Sequence, residues 1–120
     1  MRLRSVLLAA AAERHLKELL VRSEDRFGPA ARDRYEALFV QAVQDLLDNA
    51  ERVGAQPVGG RLHYHLRHSR DRVAREFGRV GSPRHILVAR VVGEDLWILA
   101  LAHDAMVDEL AARIEEGEDG

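Results

Sequence analysis

The feature that most constrains the fold is a helix break, Phe27-Gly28-Pro29, between two long amphipathic segments. Glycine suits the left-handed residue after a helix end, and proline suits the first turn of the next helix. The apolar stripe before the break comprises Ala12, Leu16, Leu19, Leu20 and Phe27 together with Ser23; the stripe after it comprises Tyr35, Leu38, Phe39, Ala42, Val43, Leu46, Leu47, Ala50 and Val53. Because both stripes have helical spacing, the sequence predicts a helical hairpin whose first arm runs about five turns from Ala9 and whose second arm stops at Gly54.

Strand patterns flank this hairpin. Residues 2–8 alternate at first and are rich in strand formers, which predicts a short first strand. Residues 84–92 and 96–102 are dense in Ile, Leu and Val around the turn Gly93-Glu-Asp95, so they are predicted to pair as antiparallel strands. Trp97, in the second of these, is expected in the core or as a partial interface anchor.

The remaining segments carry weaker patterns. The glycines and proline of residues 55–60 predict a loop, residues 65–75 a short helix or irregular turn, and residues 77–80 a short strand. Asp104 is expected to cap a final amphipathic helix, and the acidic tail from Glu115 is expected to fray. The apolar face of that last helix would carry Met106, Leu110 and Ile114.

These elements predict an α+β fold: an N-terminal strand, an antiparallel helical hairpin packed on a small antiparallel sheet of three to four strands, and a short C-terminal helix. A chain of 120 residues without a linker is expected to form a single domain over residues 1–120. It contains no cysteine and no apolar run of the roughly 20 residues that span a bilayer. We therefore expect a cytoplasmic protein without a disulfide framework or a thiolate metal site.

Charge is segregated along the chain, although the formal net charge is only −2. Residues 61–90 hold eight arginines against Asp71 and Glu76, a local +6, whereas residues 91–120 sum to −8. Arginine supplies 17 of the 18 basic residues. This usage reflects both the codon bias of a GC-rich genome and the chemistry of the guanidinium group, which binds carboxylate or phosphate in a bidentate way, and composition alone does not separate the two.

His63, His65 and His68 lie within six residues and could hold a divalent cation if they converged. The arginines at 61, 67 and 70 would stand beside such an ion, and the cluster contains no carboxylate. A solvated basic face is therefore favoured over a metal site.

A second constellation comprises Arg84, His85, Arg90 and His103, on or beside the predicted hairpin strands. Phosphodiester cleavage needs positive charge on the developing oxyanion and an acid or base that titrates near neutral pH. Alternation would place Arg84 and Arg90 on one strand face, so they could share a surface. The alternatives are an arginine fringe that binds an anion without chemistry and, for His103, a local hydrogen bond at the strand end.

Other chemistry lacks a signature in the sequence. The serines at 5, 23, 69 and 82 lack a nucleophile motif, and there is no glycine-rich phosphate loop. No cofactor is expected.

Several strings resemble the ParE branch of the RelE/ParE toxins of bacterial type II toxin–antitoxin pairs, and the resemblance covers nearly the whole chain. Leu8-Ala-Ala-Ala-Ala12-Glu-Arg-His-Leu16 is similar to the family's first strand-to-helix passage. Arg26-Phe-Gly-Pro-Ala30 with Tyr35 resembles the interhelical turn and second helix. Further similar strings are Tyr64-His-Leu-Arg67-His-Ser-Arg70, Pro83-Arg-His85-Ile-Leu-Val-Ala-Arg90 and His103-Asp-Ala-Met106.

The resemblance implies a toxin that poisons DNA gyrase and is neutralised by a cognate ParD-like antitoxin, with which it could form higher oligomers. It implies no membrane partner and no sequence-specific DNA binding by the toxin alone. Target or antitoxin contacts would then involve Arg67, Arg70, Arg84, His85, Arg90, His103 and Met106. The chain departs from the family at Ala89, Ala100 and Val107, where tyrosine, arginine and aspartate are usual. Losing the tyrosine and arginine argues against the mRNA-cleaving RelE branch, whose alternative site would be Arg84, Arg90 and His103. An inactive or retargeted toxin is the further alternative.

Overall fold

A computed structural model describes residues 2–106 of the chain. The order of elements is β1 (Ser5–Leu8), α1 (Ala10–Phe27), α2 (Pro29–Asp48), β2 (Ala55–Val58), β3 (Arg61–His65), β4 (His85–Val92) and β5 (Asp95–His103). Short 3-10 helices follow β3 (Leu66–Arg72 and Arg75–Phe77) and β5 (Asp104–Met106). Of the part of the chain described, no helix is both long and apolar enough to cross a membrane.

The strands form one sheet in the order β1-β5-β4-β3-β2. β1 runs parallel to β5 at one edge, and the other neighbours are antiparallel. The ladder between β4 and β5 shifts where Val88 pairs with Ala100 and Ala89 pairs with Ile98. Leu99 is therefore an extra residue in β5, a β-bulge that changes which side chains face the helices along this strand.

The helical hairpin covers one face of the sheet, where Leu38 and Leu46 of α2 pack in one cluster with Leu87 and Ile98 of the sheet. All four residues are almost completely buried. The break at Gly28 has the expected geometry, with φ at 92° and Pro29 in the first turn of α2. The predicted α+β fold with a helical hairpin packed on a sheet is confirmed, but the sheet is mixed and not wholly antiparallel, because β1 pairs in parallel with β5.

Within residues 2–106 the sheet has five strands instead of three to four, because residues 55–58, predicted as a loop, form β2. β2 and β3 are joined by Gly59 and Gly60, whose φ angles of 55° and 80° give a two-residue turn. Pro57 lies opposite Leu62, at a position that does not bond to β3 in this alternating pattern. β2 is an edge strand, where proline is tolerated, so the proline that suggested a loop does not prevent pairing.

Three other expectations need correction. The strand expected at residues 77–80 is wrong, because the chain instead forms the 3-10 helix Arg75–Phe77. α2 ends at Asp48 and not near Gly54, which leaves Val53 outside the helix and 88% exposed. Phe27, placed in the apolar stripe of α1, is 74% exposed.

The expected short helix or turn over residues 65–75 is confirmed as Leu66–Arg72. The first strand begins at Ser5 and not at residue 2. Asp104 opens a 3-10 helix, and the rest of the predicted terminal helix, with Leu110, Ile114 and the tail, lies outside the described residues.

Candidate functional site

The candidate site lies at the end of the sheet where β4 begins and β5 ends. His85 opens β4 and pairs with His103, the last residue of β5. The adjacent α2 and β3 contribute Tyr35 and His65. With Arg84 and Asp104, these residues form what we call the histidine cluster: Tyr35, His65, Arg84, His85, His103 and Asp104.

Tyr35 and His85 form the buried part of the histidine cluster. The Tyr35 hydroxyl accepts the backbone N–H of Arg84 at 3.4 Å and lies 2.7 Å from Nδ1 of His85. The hydroxyl therefore donates to Nδ1, which leaves the proton of neutral His85 on Nε2. Burial, aided by the neighbouring His103, lowers the pKa of His85 to about 4. Burial likewise raises the pKa of Tyr35 to about 12. Both side chains are neutral at pH 7.

Asp104 connects two other members of the cluster. Its Oδ1 accepts from Nη2 of Arg84 at 3.0 Å, and its Oδ2 accepts from Nε2 of His65 at 3.1 Å. Nδ1 of His65 accepts the backbone N–H of Arg67 at 3.1 Å, so the proton of His65 sits on Nε2. The hydrogen bond from His65, with the charge of Arg84, holds the pKa of Asp104 below its usual value. Asp104 is therefore a carboxylate over the physiological range.

His103 and Arg84 are the accessible members. The His103 side chain is 42% exposed and that of Arg84 is 60% exposed. Nδ1 of His103 accepts the backbone N–H of Ala105 at 3.2 Å, and its ring stands edge-on to His85 with centroids 5.5 Å apart. The site thus offers one guanidinium and one imidazole to an anionic group, while Tyr35, His65 and Asp104 hold them in place.

The structure does not bring Arg90 to this site. Arg90 lies six residues along β4 from Arg84, which is about 20 Å at 3.3 Å per residue, and it pairs with Trp97 in the half of the hairpin near the turn. Trp97 is half-buried there.

Arg67 and Arg70 lie on the 3-10 helix next to the cluster, where Nη1 of Arg70 donates to the carbonyl of Gly81 at 2.8 Å. Met106 is the last described residue. Within residues 2–106, no three His, Asp or Glu side chains converge as a metal site requires.

Sequence reasoning missed Tyr35, His65 and Asp104 as parts of this site. The helical spacing places Tyr35 in the apolar stripe of α2. Because a buried tyrosine hydroxyl needs a hydrogen-bond partner, the tyrosine itself was the signal that a polar group would lie opposite this stripe. The bond between His65 and Asp104 joins residues 39 positions apart, so no local spacing reveals it.

A second polar network, also missed, surrounds the buried carboxylate of Asp45 in α2. Asp45 accepts from Oγ of Ser69 at 2.6 Å, from Nε of Arg72 at 2.8 Å and from Nη1 of Arg52 at 3.0 Å. Nε2 of Gln41 donates to the same carboxylate at 2.8 Å. The bonds from Ser69 and Arg72 attach the 3-10 helix Leu66–Arg72 to α2, beside the histidine cluster.

Comparison with solved structures finds the same fold in a chain of the chromosomal ParDE toxin–antitoxin system from P. aeruginosa. The match has a TM-score of 0.63 and 16% sequence identity, and it covers 84% of this chain and 96% of that chain. No family model matches the chain, and neither does any curated protein. At this identity the likeness establishes the fold.

Proposed function

We propose that this protein is the toxin component of a type II toxin–antitoxin pair, which inhibits growth by poisoning DNA gyrase and is neutralised by a cognate antitoxin. The observation that carries the proposal is the shared fold with a ParDE chain, over 84% of this chain. The ParE-like strings, which run in the same order along the sequence, support it independently.

The proposed mechanism is inhibition by binding, without a chemical step. Arg84 and His103 present positive or proton-donating groups from a fixed position at the sheet end. Three side-chain hydrogen bonds join members of the histidine cluster to one another, as expected of a preorganised contact surface. The proposed contacts with gyrase or the antitoxin are made by Arg67, Arg70, Arg84, His85, Arg90, His103 and Met106.

The test is a supercoiling assay in which purified toxin is added to DNA gyrase and relaxed plasmid. We expect lost supercoiling and trapped, cleaved plasmid at stoichiometric toxin. Arg84→Ala should weaken both effects. Arg4→Ala is the matched control, because Arg4 also has an exposed side chain paired with one carboxylate, that of Glu94, at the opposite end of the sheet. A toxin that leaves gyrase unaffected at tenfold excess would refute the gyrase target.

The second candidate is a ribosome-dependent endoribonuclease. The observation that favours it is that Arg84 and His103, with Tyr35 and His85 behind them, share one site. Arg90 would have no part in it at about 20 Å along the strand. Positions 89 and 100 carry alanine where the nuclease branch has the tyrosine and arginine used in cleavage, which counts against this candidate.

Primer extension on messenger RNA from a translation reaction separates the two candidates. Cleavage by the wild type that disappears in His103→Ala and persists in Arg4→Ala would establish the nuclease. Intact messenger RNA with trapped gyrase cleavage would exclude it. If neither gyrase poisoning nor cleavage of messenger RNA is detected, the protein is inactive or acts on another target.

A further inference from the structure

The loop between β3 and β4, residues 66–84, carries an unusual surface. It contains six arginines and only two acids, Asp71 and Glu76. Of these arginines, Arg72 is directed to the buried carboxylate of Asp45. We call the other members, with Phe77, the arginine loop surface: Arg67, Arg70, Arg75, Arg79, Arg84 and Phe77.

Contacts within the loop bring distant arginines together. Oδ1 of Asp71 lies 3.6 Å from Nε of Arg70 and 3.4 Å from Nη1 of Arg79. Arg70 also donates to the carbonyl of Gly81. Two guanidinium groups nine positions apart therefore stand side by side, and one exposed carboxylate balances only one of their charges.

Arg67 and Arg70 are three residues apart on a 3-10 helix, so they lie on one face about 6 Å from each other along its axis. Two steps of one nucleic-acid strand advance about 6.8 Å in a B-form geometry. The rise between these two helix positions is therefore close to the advance between nearby phosphates of one strand.

Phe77 adds an aromatic face to these charges. Phe77 is the last residue of the 3-10 helix Arg75–Phe77 and is 54% exposed. The next residue, Gly78, lies so close to the side chain of Arg34 in α2 that a Cβ at Gly78 would be 2.8 Å from Cδ of Arg34. The turn that carries Phe77 is thus supported from behind, and Arg75 and Arg79 flank the ring in sequence.

We propose that the arginine loop surface binds single-stranded nucleic acid, with Phe77 stacking on a base and arginines 67, 70, 75 and 79 contacting phosphates. An exposed aromatic residue in an arginine-rich segment is the combination that single-strand binders use without sequence preference. An acidic peptide would pair with the arginines but would gain nothing specific from an aromatic ring. The two proposals share Arg67 and Arg70, but the oligonucleotide assay contains no gyrase and the gyrase assay does not depend on Phe77, so either proposal can fail alone.

The experiment measures fluorescence anisotropy of a labelled 15-nucleotide oligothymidylate with the purified full-length chain. Four phosphate contacts predict about 50-fold weaker binding at 200 mM than at 50 mM salt. In Arg75→Gln/Arg79→Gln the same change in salt should weaken binding only about 7-fold. Arg2→Gln/Arg4→Gln is the control, since these arginines are 76% and 80% exposed and should leave the salt dependence unchanged.

Substitution of Phe77 tests the stacking directly. Phe77→Leu keeps an apolar side chain but removes the ring, and should weaken binding by about 5- to 150-fold, whereas Phe77→Trp should bind at least as tightly as the wild type. Val92→Ala, at the last residue of β4, which is 52% exposed, should leave the affinity unchanged. Absence of binding at 50 mM salt would overturn the proposal. Equal binding of a 15-residue polyglutamate with no effect of Phe77→Leu would also overturn it, in favour of an acidic protein partner.

Discussion

Replacing Asp45 by asparagine removes a buried carboxylate that holds the loop after β3 against α2. Asp45 has no exposed side-chain surface, and its oxygens accept from Ser69, Arg52 and Arg72 at 2.6 to 3.0 Å. An asparagine at this position would keep the shape but offer one oxygen in place of two, and its NH2 group would face donors. We expect Asp45→Asn to lower the free energy of unfolding by about 3 kcal/mol.

The three partners that lie outside α2 contribute unequally to that magnitude. Ser69 is fully buried, so a weakened bond there costs about 1–3 kcal/mol. The side chain of Arg52 is 22% exposed and keeps only part of its solvation, which adds about 1 kcal/mol. Arg72 is 55% exposed and can turn to water, so its share is below about 1 kcal/mol.

Urea denaturation followed by circular dichroism measures the loss, which corresponds to a fall in Tm of roughly 10 °C for a domain of this size. Asp48→Asn is the matched control, one turn further along α2, with a side chain 48% exposed and paired with Arg2 at 3.5 Å. The control should change stability by less than about 0.5 kcal/mol. If Asp45→Asn also costs less than that, the Asp45 network does not hold the loop and the reasoning is wrong.

Three further results are expected. The pKa of His85 lies at about 4 in the folded chain, against 6.5 for a free histidine. Burial of the neutral ring therefore stabilises the folded state fully above pH 6.5, and up to about 3 kcal/mol of this stabilisation is lost as the pH falls to 4. His85→Gln should flatten this part of a profile of stability against pH measured in urea, and an unchanged profile would contradict the assignment. Gly54→Ala should lower the free energy of unfolding by about 2 kcal/mol or more, because φ is +97° and the new Cβ would lie 2.5 Å from the His68 ring. Gly60→Ala, at φ +80° in open space, should lower it by only about 1 kcal/mol. Thermal unfolding measures both, and equal losses would show that the His68 contact relaxes freely. Pro57→Thr restores an N–H on the outer edge of β2 and should increase self-association of the protein. The control is Gln56→Thr, because the N–H of residue 56 bonds to β3. Sedimentation velocity compares the two variants, and identical sedimentation would mean that Pro57 does not protect this edge.

The amphipathic hairpin and the β4–β5 pair were predictable because each is specified by neighbouring residues. Gly28 and Pro29 end one helix and start the next through their own backbone preferences. The apolar run around Gly93 forms a hairpin because its two halves are joined by a tight turn. In both cases the signal and the structure lie within a few residues of each other.

Of the site residues predicted from sequence, Arg84, His85 and His103 meet at one end of the sheet, while Arg90 lies far along β4. Alternation shows which face a residue occupies but not its distance from a residue on another element. The bond between Tyr35 and His85 spans 50 positions of sequence, and its geometry depends on how α2 crosses the sheet.

Tertiary structure alone decided the edge strand β2 and the Asp45 network. Residues 55–58 carry loop-like residues, and they become a strand because the partner strand β3 supplies the hydrogen bonds. Asp45 occupies a buried position in a helix that its own charge disfavours, and Ser69 and Arg72 stabilise it from 24 and 27 residues away. Local periodicity determines which segments are helical or extended, whereas the free energy of burying a polar group depends on partners that only the folded chain brings together.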